Sequence, residues 1–139
     1  MTTDQELLSV LKTHFGFDQF LPLQAEIVSN VLANNDSLVL MPTGAGKSLC
    51  YQLPAVIHDG YTVVVSPLIA LMKDQVDAIR ANGVPAAFVN STHSPHENEN
   101  VLTQTASGDI KILYVAPERL ATPRFQRFLK AAQPALIAI

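Results

Sequence analysis

The sequence predicts an α/β fold in which a mostly parallel sheet is flanked by helices. Three observations carry this expectation. Five short apolar runs begin about every 25 residues, which leaves room for one helix between each pair. The runs are almost solidly hydrophobic, as strands covered on both faces must be. The stretches between them carry helix caps and apolar residues spaced by three and four.

Taken in order, Thr3 with Glu6 has the form of a capping box for a helix running through Leu11. Pro22 starts a second helix, in which Ile27, Val28, Val31 and Leu32 share a face. Ser37–Met41 (SLVLM) reads as the first strand, followed by a Gly-rich turn and a helix. Tyr61–Ser66 (YTVVVS) is the second strand. Behind Ser66-Pro67, Ile69, Met72, Val76 and Ile79 mark a helix that stops at Gly83. Ala86–Asn90 (AAFVN) is the third strand, and Ser94-Pro95-His96-Glu97 is a capping box with proline in the first helical position. Lys111–Val115 (KILYV) is the fourth strand. Thr122-Pro123 then opens a short helix with Phe125, Phe128 and Leu129 on one side, and Ala135–Ile139 (ALIAI) is the fifth strand. The expected organisation is a pair of N-terminal helices over residues 1–33 and a sheet core over 34–139, with no linker and no internal repeat.

Composition narrows the class. A chain of 139 residues with 48% hydrophobic content and a net charge of −3 suits one globular domain and excludes a disordered one. The apolar runs are broken well before the roughly 18 residues needed to cross a bilayer, and no leader opens the chain, so a soluble, unexported protein with no membrane partner is expected. Cys50, the single cysteine, is compatible with a reducing cytoplasm. The charge is uneven: after residue 110, Lys111, Arg119, Arg124, Arg127 and Lys130 face Glu118 alone. On charge by itself, that cluster is a solvated helix face.

Met41-Pro42-Thr43-Gly44-Ala45-Gly46-Lys47-Ser48 lies where the first strand run gives way to a helix, the context a phosphate loop requires. Gly44 and Gly46 let the backbone curl so that N–H groups converge on an anion at the positive end of the next helix. Lys47 is the catalytic candidate, bringing an ammonium to the β- and γ-phosphates of a nucleotide, and Ser48 is the candidate Mg²⁺ ligand. A hydrolysing site also needs an acid at the end of a second apolar strand. Asp36, Asp59, Asp74, Asp77 and Asp109 are all wrongly placed, and ALIAI has no successor. The expectation is an N-terminal fragment of a longer NTPase, cut just before its metal-binding acid.

The segments FGFDQFLPLQ (Phe15–Gln24), MPTGAGKSLCYQLPA (Met41–Ala55), VVVSPLIALMKDQV (Val63–Val76) and YVAPERL (Tyr114–Leu120) resemble, in order and distance, the RecQ family of ATP-dependent DNA helicases. The resemblance spans nearly the whole chain. It implies a first RecA-like motor lobe ending one residue before the family's DEAH box. It also implies that Gln24 reads adenine, for which a carboxamide can both donate and accept, and that Phe17 stacks on the base. On its own, Gln24 would read as a helix-surface residue. Two positions depart from the family's FRPGQ: Leu21 stands where Arg is usual and Leu23 where Gly is usual, which puts ATP affinity in question.

SPLIALMKDQV resembles motif Ia and YVAPERL motif Ib, whose loops line the DNA path. For Ser66, a phosphate contact and a plain helix cap stand level; for Arg119, so do a phosphate contact and an exposed ion pair with its neighbour. The implied function is ATP-driven 3′-to-5′ unwinding of single-stranded and forked DNA substrates in recombination and repair, in a bacterial, nucleoid-associated cytoplasmic protein. Its partners would include a second RecA-like lobe of the same chain, with zinc only in the missing C-terminal region. These residues alone are expected to turn over negligibly and to be prone to aggregation at unpaired sheet edges. The alternatives are a truncated module that binds nucleotide without hydrolysis and a different phosphate-loop enzyme such as a small kinase.

Overall fold

The computed structural model describes residues 3–41 and 46–139. The chain divides into two compact units, Met1–His58 and Asp59–Ile139.

The first unit is helical. Helix α1 (Asp4–Val10) opens on the expected capping box, with Thr3 Oγ1 accepting from the Glu6 N–H and the Glu6 carboxylate accepting from the Thr3 N–H. It passes into a π-helical turn (Leu11–Phe15) that Gly16 ends with a φ of 76°, a left-handed value that glycine adopts without a Cβ penalty. Helix α2 (Gln24–Leu32) begins two residues later than Pro22 suggests, because Leu23 sits in the left-handed region at φ 74° and cannot be helical. Helix α3 (Leu49–Ile57) carries Pro54 inside it. Leu7, Leu11, Val28, Leu49 and Leu53 form this unit's core, drawn from α1, the π turn, α2 and α3.

The segment Ser37–Met41 departs from expectation. It forms no strand, and Leu38 and Leu40 are 90% and 87% exposed. Its apolar, β-rich composition supplies propensity, but an extended segment becomes a strand only when a neighbour completes its ladder.

The second unit holds the sheet. Strands β1 (Thr62–Val65), β2 (Ala86–Val89), β3 (Ile112–Val115) and β4 (Leu136–Ala138) are all parallel, in the order β2-β3-β1-β4. Helices α4 (Ile69–Ala81), α5 (Pro95–Ala106), α6 (Pro117–Leu120) and α7 (Pro123–Ala131) form the connections. Strands β1 and β3 are buried at every position, which is why their sequences are solidly apolar. At the edge, β4 is only half covered, with Ile137 exposed. The α5 capping box is present as read, and Thr122 caps α7 through the Phe125 N–H. Tyr61, Phe125 and Phe128 pack beside Val63, Leu113 and Val115, and the Tyr61 hydroxyl donates to the Ala132 carbonyl where α7 ends.

Candidate functional site

Within the first unit, residues flanking the candidate phosphate loop converge on one carbonyl. Pro42, Thr43, Gly44 and Ala45 lie outside the described residues. Met41 is half-buried, and Gly46 follows with a φ of 78°. Lys47 and Ser48 are exposed at the opening turn of α3, where free backbone N–H groups give a helix its positive end. The Lys47 carbonyl accepts from Cys50 N–H, and the Ser48 carbonyl from the N–H groups of Tyr51 and Gln52. Ser48 already has helical backbone angles, and its hydroxyl makes no capping bond. Among the described residues the Lys47 ammonium has no ion-pair or hydrogen-bond partner.

Gln24 is 3% exposed, in contrast to the surface residue its helix position suggests. Its Oε1 accepts from the Leu21 N–H at 2.7 Å, and its Nε2 donates to the Gly46 carbonyl at 3.1 Å. The same carbonyl faces the Cys50 thiol, Sγ to O 3.9 Å. Burial pushes the Cys50 thiol pKa up, with a backbone hydrogen bond opposing it, so the thiol stays protonated and able to donate. Gly46 is required here twice over. Its φ is left-handed, and a Cβ added to it would lie 2.2 Å from Gln24 Nε2. The chain thus ties the start of α2 to the end of the phosphate loop through one amide.

Phe17 is 57% exposed beyond the Gly16 turn, and Leu21 and Leu23 are also exposed. Leu21 has a methyl 3.3 Å from where a Gly46 Cβ would stand, so an apolar group occupies the place beside the loop. Composition did not signal the part played by Cys50, whose spacing from Gly46 is that of one helical turn.

Ser66 and Arg119 belong to the second unit, at the carboxyl end of its strands. Ser66 is buried, its N–H bonded to the Val115 carbonyl and its Oγ accepting from Leu68 N–H at 3.3 Å. Arg119 is half-buried in α6, and its Nη2 donates to the Asn90 carbonyl at 3.2 Å instead of pairing with Glu118. Asn90 is a residue the sequence reading passed over. It is 1% exposed; its Oδ1 accepts from Thr92 N–H and Oγ1, its Nδ2 faces Met72 Sδ, and its carbonyl also accepts from Asn98 Nδ2. The only hint was a polar residue closing an apolar strand. Among the described residues no cluster of three His, Cys, Asp or Glu side chains is arranged to hold a metal, and no helix is long and apolar enough to cross a membrane.

Residues 21–134 match the sequence profile of the DEAD/DEAH box helicases. The chain is 47% identical over 132 residues to an ATP-dependent DNA helicase RecQ of Haemophilus influenzae, covering 95% of this chain and 21% of that protein. It is 44% identical over 132 residues to the RecQ helicase of Bacillus subtilis, covering 94% and 22%. The chain therefore spans about a fifth of the length of these relatives. A crystal structure described as a hypothetical ATP-dependent RNA helicase from Sulfolobus tokodaii superposes with a TM-score of 0.72 at 19% identity, over 97% of this chain and 40% of that one. That likeness supports a RecA-like α/β fold.

Proposed function

Because the chain belongs to the DEAD/DEAH box helicase family, we propose that it is the ATP-binding part of the first motor lobe of a RecQ-type, ATP-dependent DNA helicase. The observation that carries the reading is the opening of α3. Lys47 and Ser48, whose hydroxyl makes no capping bond, stand exposed there, directly after Gly46, whose carbonyl Gln24 holds. Lys47 would neutralise the β- and γ-phosphates, and the backbone N–H groups of the turn would hold phosphate oxygens. Ser48 would be the residue of this chain that holds Mg²⁺, through its hydroxyl. Mg²⁺ held at Ser48 would supply positive charge to offset that developing on the phosphates.

On this reading Phe17 offers a ring to the base, and Gln24, with one N–H and one oxygen lone pair left after its two bonds, can contact adenine while holding the loop. Met41, Pro42, Thr43, Gly44, Ala45 and Gly46 form the phosphate cradle. Ser66 and Arg119 contact DNA phosphates at the carboxyl edge of the sheet, where ligands of open α/β sheets bind. The acids that orient water, the second lobe and any zinc site belong to other parts of the protein. Unwinding of forked DNA with 3′-to-5′ polarity and residence at the nucleoid are properties of that whole.

The test is equilibrium binding of a fluorescent ATP analogue with Mg²⁺ to this chain and to Lys47→Ala. Saturable binding that weakens at least tenfold in the variant is the expected result, equivalent to roughly 1.4 kcal/mol of lost phosphate contact. Equal binding by both proteins would remove Lys47 from the site and the nucleotide reading with it.

A further inference from the structure

A cavity of about 260 Å³ opens in the second unit beside the carboxyl ends of β2 and β3. Its floor is apolar, with Val89, Leu102 and Phe125, and its charged lining is Glu99, Arg119 and Arg124. Glu99 comes from α5 and Arg124 from the first turn of α7, and their pairing is bidentate. Arg124 Nε lies 2.9 Å from both carboxylate oxygens of Glu99, and its Nη2 lies 2.6 Å from Oε1. Both side chains are about half exposed, at 47% and 49%. Arg119 is held beside them by the Asn90 carbonyl, which takes one of its five N–H donors.

We propose that Arg119 and Arg124 form a phosphate-holding site for single-stranded DNA, in which the Glu99 carboxylate occupies Arg124 until nucleic acid displaces it. This rests on the DNA-helicase reading above and adds to it a residue, Arg124, and a competitor that the motif comparison does not supply. A planar guanidinium binds a carboxylate and a phosphate through the same two parallel N–H bonds, so Glu99 presents to Arg124 what a phosphodiester would. Half exposed, the pair is reached by water and salt, so a phosphate offering acceptors for the same two N–H groups can exchange with the carboxylate. A strand already held at neighbouring phosphates needs only to match it locally. The cavity lies at the carboxyl end of β2, on the side of the sheet where ligands of such folds bind, and both of its arginines come from the segment after residue 110, where basic residues outnumber acidic ones.

The measurement is fluorescence anisotropy of a labelled oligothymidylate with the full 139-residue chain over a series of salt concentrations. Glu99→Gln should bind roughly threefold more tightly at low salt, with a log–log salt slope steeper by about 0.7 from one additional phosphate contact. Arg124→Gln should weaken binding and, combined with Glu99→Gln, cancel the gain. Asp109→Asn, which removes one negative charge before β3 at the opposite end of the strand, should change nothing, and Glu99→Ser serves the same comparison if Glu99→Gln fails to fold. Wild-type affinity in Glu99→Gln, or an equal gain in Asp109→Asn, overturns the site and leaves the helicase reading standing. No DNA binding by any variant, alongside intact Lys47-dependent nucleotide binding, overturns both the site and the assignment of DNA to this lobe.

Discussion

The two units of this chain solve the problem of holding a site in opposite ways. In the second, strands β1 and β3 bury apolar side chains at every position, and Ser66 and Arg119 follow closely on the strand ends. In the first, Ser37–Met41 joins no ladder among the described residues, and Gly46 is held by one buried amide, at a place where a Cβ would displace Gln24 Nε2, with Leu23 at positive φ nearby. A layered core tolerates local error because many contacts share the load. A site hung from a single carboxamide does not.

The largest expected effect breaks the layered side of the comparison. Leu113→Ala, in the fully buried β3, should cost about 2–5 kcal/mol and lower the midpoint of urea unfolding accordingly, since a cavity in a close-packed sheet core relaxes poorly. Next, Gly46→Ala should cost roughly 2–3 kcal/mol by combining positive-φ strain with the loss of the Gln24 bond, and should abolish nucleotide-analogue binding. Amide exchange at Leu21, whose N–H loses its acceptor when Gln24 is displaced, would report the break; retained protection there would show that the loop has another anchor.

Smaller still, Leu23→Gly should stabilise the chain by about 1 kcal/mol, read as a rise in unfolding midpoint, because glycine adopts φ 74° without the clash leucine pays. An unchanged midpoint would mean that the leucine side chain, 58% exposed, repays its own strain. A pH effect is confined to alkaline solution. Burial raises the Tyr61 hydroxyl to about 12. The folded state therefore holds this proton more tightly than the unfolded chain does, and the stability involved is complete below about pH 10, the ordinary tyrosine value, and is lost as pH rises towards 12. The wild type should lose more thermal stability than Tyr61→Phe across that window.

The legibility of the molecule followed the same division. The four strands of the second unit, the capping boxes at Thr3 and Ser94, and the Thr122 cap were readable because each depends on residues within a few positions of one another. Ser37–Met41 misled because its apolar pattern states what a strand would need, and pairing is decided by a partner elsewhere. The second helix started late because the dihedral at Leu23 overrides the proline signal.

The sequence by itself determined the α/β rhythm, the helix caps and the chemistry offered at Lys47 and Ser48, since local periodicity and side-chain type suffice for all three. Only the tertiary structure decided that Gln24 is buried against Gly46, that Arg119 serves the Asn90 carbonyl instead of Glu118, and that Glu99 meets Arg124 across 25 residues. Those contacts join groups far apart in the chain, and a hydrogen bond's partner is chosen by where packing brings the donor, which no local pattern encodes.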